Sequence, residues 1–281
     1  MTAQASASGA LPVTDAGPDP ALASTLAPAL AAQGVGVVID GATLLDGVDF
    51  DARPGEVHAL IGPNGAGKST LLGVLAGDRP AASGSVQVEG RPIGSWRLRE
   101  LARTRAVLLQ QHDVFFPFTV GEVVAMGRAP WRGTSAEDDD ERLIAAALVQ
   151  TDVAHLLGRT VPSLSGGERA RVALARVLAQ AAPTLLLDEP TAALDLRHQE
   201  DVLRIARARS RSGDTVVVVL HDLNLAAAYA DRITLLAGGR VVASGSPDAV
   251  LTGERISEVY GQPVEVIPHP RTGAPLILPL R

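Results

Sequence analysis

Residues 62–70 read GPNGAGKST, which fits the pattern G-x-x-x-x-G-K-[ST] at every position. A segment of this kind can hold the phosphates of a nucleotide. Gly62, Gly65 and Gly67 let main-chain N–H groups close on phosphate oxygens where a Cβ would collide, and Pro63, Asn64 and Ala66 complete the loop. The loop opens a helix, whose free amides and dipole favour an anion. Lys68 brings a full positive charge toward the β- and γ-phosphates, and it is the only lysine in the chain. The hydroxyl of Ser69, followed by Thr70, suits a Mg²⁺ ligand. A plain glycine-rich turn has the same composition. The apolar run Val57–Ile61 before the loop and helical text at Leu71–Ala76 after it favour nucleotide.

A second cluster ends the apolar run TLLLDE at 184–189. Parallel sheets gather ligands at the carboxyl ends of their strands. Asp188 is therefore placed to hold Mg²⁺, through water, and Glu189 to orient and polarise an attacking water. Phosphoryl transfer asks mainly for positioning and charge neutralisation, so this small set suffices. An Asp-Glu pair alone is more often a surface turn or helix cap; beside a phosphate loop it reads as a site. Between the two lies LSGGE at 164–168, where Ser165, Gly166, Gly167 and Glu168 open a helix. This is again an anion-binding arrangement, although singly it reads as a serine cap.

The elements that must position these groups follow from the rest of the chain. Its 281 residues are 46% hydrophobic with net charge −6, enough for one large or two modest domains and without a basic field for nucleic acid. The absence of cysteine excludes disulfides, thiolate metal sites and thiol catalysis. Residues 1–33 hold no Lys or Arg, so they lack the charged start of a secretory signal and read as a flexible extension. Gly34–Ile39 and Val48–Phe50 open an antiparallel sheet around a turn at Asp40–Gly41. From Val57 onward strands alternate with helices, which implies a parallel sheet. Residues 112–165 interrupt it as a helical insertion, Ile233–Ser244 closes it with a hairpin at Gly238–Gly239, and a Pro-rich, less regular tail runs over 252–281. The expected fold is α/β, with an antiparallel β subdomain and an inserted α-helical subdomain, the domain spanning 34–251. No apolar run approaches the ~18–20 residues that cross a bilayer.

Taken together, the sequence resembles the nucleotide-binding subunit of ABC transporters. GPNGAGKST, Gln110 after a buried strand, LSGGE, LLLDE at 185–189, AALD at 192–195 and His221 after VVVVL follow the family's order, and the likeness covers about 35–250. The resemblance implies a P-loop NTPase core binding ATP and Mg²⁺. Gln110 would sense the γ-phosphate and metal, with Gln111 as its adjacent rival. Ser165 and Gly167 would contact the γ-phosphate held by a second copy, and Asp195 would sit at the dimer seam. His221 would bind the γ-phosphate and hold the water of Glu189; a histidine after a strand is ordinarily structural, so this role rests on the resemblance. Ile39 stands where most relatives place an aromatic that stacks on adenine.

Longer segments, GSWRLRELARTRAVLLQQ at 94–111, FPFTVGEVVAMGRAP at 116–130, LHDLNLAAAYADRI at 220–233 and HPRTGAPLILP at 269–279, resemble the ATP-binding subunit of bacterial haemin importers. Relatives importing iron–siderophore chelates or vitamin B12 stand close by. The implied assembly is a homodimer of this chain, peripheral on the cytoplasmic face of the inner membrane, with two copies of a permease received near FFPFTV at 115–120 and a substrate-binding protein outside. The alternative from another class is a soluble single-cassette ABC ATPase in the assembly of a cytosolic complex. His58, His112, His155, His198 and His269 read as structural or surface residues.

Overall fold

The computed structural model describes residues 27–109 and 117–281. It opens with β1 (Leu30–Ile39) and β2 (Ala42–Ala52), which pair antiparallel around Asp40 and Gly41, both at positive φ. β4 (Ser83–Val88) lies along the other side of β1 and carries the short β5 (Arg91–Pro92), giving the order β2-β1-β4-β5. β1 begins before the expected boundary at 34. Leu30 pairs with both Ala52 and Val88 and is fully buried, so 30–33 belong to the sheet. The alanine-rich text there resembles the preceding extension, and only the inward alternation of Leu30 and Ala32 marks the strand.

The second sheet has the order β10-β9-β3-β8-β7-β6. β6 (Arg105–Leu108), β7 (Thr184–Asp188), β8 (Thr215–Val219), β3 (Val57–Ile61) and β9 (Arg232–Ala237) run parallel. β10 (Arg240–Gly245) returns antiparallel on the edge. β3, β7 and β8 are buried at every position, as continuous apolar runs in a sheet covered on both faces must be. Fully burying a leucine such as Leu60 or Leu186 contributes about 1.5–3 kcal/mol, which fixes these three strands at the centre.

Helices cover the sheet: α1 (Lys68–Ala76) follows β3, α2 (Leu98–Thr104) precedes β6, α6 (Leu196–Arg211) precedes β8, and α7 (Leu223–Tyr229) follows it. The helical insertion contains α3 (Val120–Met126) and α4 (Asp140–Gln150). Thr119 and Glu122 form a reciprocal cap that starts α3. α5 (Gly166–Ala179) packs on α3 and α4 and also on β6, so insertion and core share it.

The tail is more regular than its composition implies. α8 (Pro247–Val250) and α9 (Gly253–Tyr260) lead to a hairpin of β11 (Val264–Pro268) and β12 (Pro275–Pro279). Its prolines sit at strand ends, where no ladder donor is lost. No helix among the described residues is long and apolar enough to cross a membrane.

Candidate functional site

Three adjacent strands deliver the chemistry. Leu60 of β3 aligns with Val219 of β8, and Val219 aligns with Asp188 of β7. The phosphate loop, the Asp188–Glu189 pair and His221 therefore leave the sheet side by side at its carboxyl edge. Gly62 turns at φ 148, and a Cβ there would lie 2.1 Å from the Leu236 carbonyl oxygen of β9. Gly67 starts α1 at φ 100, where a Cβ would meet the Leu44 carbonyl at 2.8 Å. Both must be glycine because the loop is pressed between β9 and the antiparallel sheet. Gly239 N donates to the Ala66 carbonyl at 3.2 Å and ties the β9–β10 turn to the same loop.

Lys68 is 6% exposed and donates to the carbonyls of Gly62 at 2.8 Å and Pro63 at 3.0 Å. Burial lowers its pKa, while the negative charges of Glu189 and Asp188 oppose that shift. Ser69 Oγ donates to Asp188 Oδ1 at 3.1 Å. Burial pushes the Asp188 carboxyl above its ordinary value; the Ser69 hydrogen bond opposes this and the neighbouring Glu189 charge reinforces it. A hydroxyl beside a buried carboxylate that resists ionisation is a donor set suited to a hard divalent cation. The residues present thus fit Mg²⁺ with a triphosphate.

His221 Nε2 lies 2.5 Å from Glu189 Oε1. The Glu189 side chain is 10% exposed and its main chain holds φ 49, an uncommon conformation for a residue with a Cβ. Such strain at a carboxylate facing a phosphate loop is kept where the surrounding structure over-determines it.

Ser165, Gly166, Gly167 and Glu168 form a second patch. Ser165 N donates to Glu168 Oε2 at 2.7 Å and Glu168 N to Ser165 Oγ at 3.3 Å, a complete capping box on α5. The hydrogen bond from the Ser165 amide holds the Glu168 carboxyl below its ordinary value. A Cβ on Gly167 would sit 3.3 Å from the Ala193 carbonyl, so this turn abuts the AALD segment. There Asp195 caps α6, accepting from His198 N at 3.0 Å and lying 2.7 Å from His198 Nδ1. The hydrogen bond from the His198 amide leads the lowering of the Asp195 pKa.

Gln110 and Gln111, with His112, Phe115 and Phe116, lie outside the described residues. Of FFPFTV, Phe118 is 38% exposed and Val120 is buried. Ile39 ends β1, partly buried against the antiparallel sheet's cluster. Sequence reasoning does not mark Tyr260, whose buried hydroxyl faces the main chain at Gly62. Burial leads the rise of its pKa to about 12. No local signal marks a tyrosine that reaches the phosphate loop from the far end of the chain.

Residues 45–192 match the family described as ABC transporter. The chain is 63% identical over 251 residues, 89% of its length and 90% of the relative's, to a Streptomyces coelicolor protein named "Hemin import ATP-binding protein HmuV". Proteins of the same name from Nocardia farcinica and Thermobifida fusca are 62% and 57% identical, over 85% of this chain and 83% and 84% of theirs. Among solved structures, a metal-chelate-type ABC transporter in an inward-facing conformation superposes with TM-score 0.76 at 27% identity, covering 90% of this chain and 98% of that one. A dimeric ATP-binding cassette in a post-hydrolysis state with ADP and phosphate superposes with TM-score 0.70 at 26% identity, covering 77% and 98%. Strand order, site geometry and these likenesses agree: the chain belongs to the ABC transporter family, as one of its ATP-binding cassettes.

Proposed function

We propose that this chain is the ATP-binding and ATP-hydrolysing subunit of an importer that carries haemin across the cell membrane. The observation that carries the reading is the convergence of Lys68, Ser69, Asp188, Glu189 and His221 at the ends of three neighbouring strands, in a chain 63% identical to a protein named for hemin import. The loop amides and Lys68 hold the β- and γ-phosphates. Ser69, Asp188 and Gln110 would hold Mg²⁺, which would supply charge neutralisation at the phosphates. Glu189 accepts a hydrogen bond from water and directs its oxygen in line with the γ-phosphorus, with His221 holding the carboxylate and reaching the γ-phosphate.

Ser165 and Gly167 complete the site of a second copy, and Asp195 lies at the seam. The dimeric cassette among the structural relatives supports this arrangement. Closure on ATP and release after hydrolysis then form a two-state element that moves a permease. The assembly holds two such chains, two permease copies and an external substrate-binding protein, with this subunit peripheral on the cytoplasmic face of the inner membrane. The test is reconstitution with its cognate permease. Haemin should stimulate ATP hydrolysis, and a ferric siderophore or cobalamin should not. Stimulation by one of those instead would reassign the cargo, and turnover indifferent to any permease would favour a cytosolic assembly ATPase.

A further inference from the structure

His221 stands two residues beyond β8, and its side chain is 45% exposed, so packing alone does not fix it. Its position depends on the turn that enters α7. Asp222 caps that helix, Oδ1 accepting from Asn224 N at 2.8 Å and Leu225 N at 3.0 Å. α7 spans only seven residues, too few to hold a helix without tertiary support.

The support comes from the C-terminal hairpin. Asn224 Oδ1 accepts from Ile277 N at 2.8 Å, and Asn224 Nδ2 donates to the Ile277 carbonyl at 3.4 Å. The pairing of the hairpin explains why Ile277 is free to do this. Leu280 N donates to Pro263 O at 2.9 Å and His269 N to Ala274 O at 2.8 Å, and in the same register Ile277 faces Val266. Pairs alternate in an antiparallel ladder, so Ile277 falls in a non-hydrogen-bonded pair and turns its N–H and C=O to the open edge. Its outward neighbours on β12 are Pro275 and Pro279, which have no N–H. Ile277 is thus the single outward donor of β12, and a side-chain amide meets both of its polar groups. On the opposite edge, Val264 N donates to Ser257 Oγ of α9 at 3.0 Å. Both edges of the hairpin are anchored to helices of the core domain's end rather than left open.

We propose that Asn224 is a positioning residue: it ties the turn bearing His221 to the C-terminal hairpin, so that the hairpin holds His221 against Glu189 during ATP hydrolysis. This rests on the reading of His221 as part of the hydrolytic site. The experiment is steady-state ATP hydrolysis by the full chain in its permease complex, for Asn224→Ala, Ile277→Pro, the pair, and Asn224→Ala combined with His221→Ala. Ile277→Pro removes the outward N–H at an edge position that proline tolerates. Each single change should lower kcat about three- to tenfold, the effect of about one hydrogen bond, with KM for ATP unchanged. The pair should fall no further than either alone, and Asn224→Ala should add nothing once His221 is alanine. Wild-type kcat in Asn224→Ala beside an impaired His221→Ala overturns the proposal, as do additive losses or a raised KM with kcat intact. Normal turnover in His221→Ala itself overturns the underlying reading of the site instead.

Discussion

Lys68 Nζ donates to the Gly62 carbonyl at 2.8 Å, so the one lysine of the chain is folded onto the loop that precedes it. The ammonium is thereby held at the mouth of the proposed phosphate cradle, partly desolvated, and among the described residues its hydrogen bonds go to the Gly62 and Pro63 carbonyls. An anion there gains a charge-assisted contact that water no longer screens fully. Lys68→Ala should weaken ATP binding roughly 10- to 100-fold, the loss of a hydrogen bond to a charged group. Lys68→Arg should fail to restore it, because a planar fork cannot replace a compact ammonium in this space. Fluorescent-nucleotide titration reads both, and wild-type affinity in Lys68→Ala would remove the lysine from the site.

Glu189 carries strain and His221 is directed at its carboxylate, which is the arrangement of a group that must be held for one task. Glu189→Gln preserves shape and removes the acceptor charge. ATP binding should persist while turnover falls about 10²- to 10⁴-fold, the range for a positioned general base. ATP should then accumulate a dimer, visible by light scattering. A variant that hydrolyses normally, or whose isolated chain stays monomeric at saturating ATP, contradicts the mechanism.

Asp188 carries a charge that is costly without a cation, since burial raises its pKa above the ordinary carboxylate value. The sign follows directly. The folded protein favours the protonated carboxyl, so at neutral pH the ionised group detracts from the stability of the nucleotide-free chain. Asp188→Asn should therefore raise the melting temperature of that form by roughly 2–4 °C, the response of a large domain to about 1 kcal/mol. The same variant should lose the further rise that Mg²⁺-ATP gives the wild type. A lower melting temperature in both conditions would mean that the Ser69–Asp188 bond outweighs the burial of charge.

Much of this site was legible because its parts are contiguous. GPNGAGKST, TLLLDE and LSGGE each carry their backbone requirement and their chemistry within a few residues, and the strands delivering Lys68, Asp188 and His221 are short apolar runs that only a covered parallel sheet explains. What escaped is set by distance along the chain. Leu30–Gln33 join a sheet that only their pairing with Ala52 and Val88 reveals. The proline-rich tail conceals a hairpin because its prolines occupy strand ends, and the contact of Tyr260 with the phosphate loop has no periodic signature. The proposed role of Ser165 and Gly167 toward a second copy rests on the resemblance to the family, since within one chain they form a helix cap against Ala193.

The sequence leaves His58 as a structural or a surface residue; the fold buries it, with a measurable consequence. It is fully buried in β3, with its ring against Phe50 and Nε2 2.8 Å from Thr234 Oγ1. Burial leads the fall of its pKa from 6.5 to about 3, with the Arg232 charge acting in the same direction and Asp51 opposing. A histidine depressed in the folded state takes up its proton only on unfolding. Its contribution is therefore complete above about pH 6.5 and is lost as pH falls toward 3, at up to about 1.4 kcal/mol per pH unit. Glu56 is displaced upward by burial and gives the opposite slope. Its Oε1 lies 3.8 Å from His58 Nδ1, and in both proteins its upward displacement by burial opposes the acid loss. His58→Leu leaves Thr234 paired with Ser244 at 2.8 Å and so does not orphan it. Urea unfolding from pH 7 to pH 4.5 should show wild-type stability falling more steeply with acid than that of His58→Leu. Parallel profiles would mean that the ring is already solvated or charged in the folded chain.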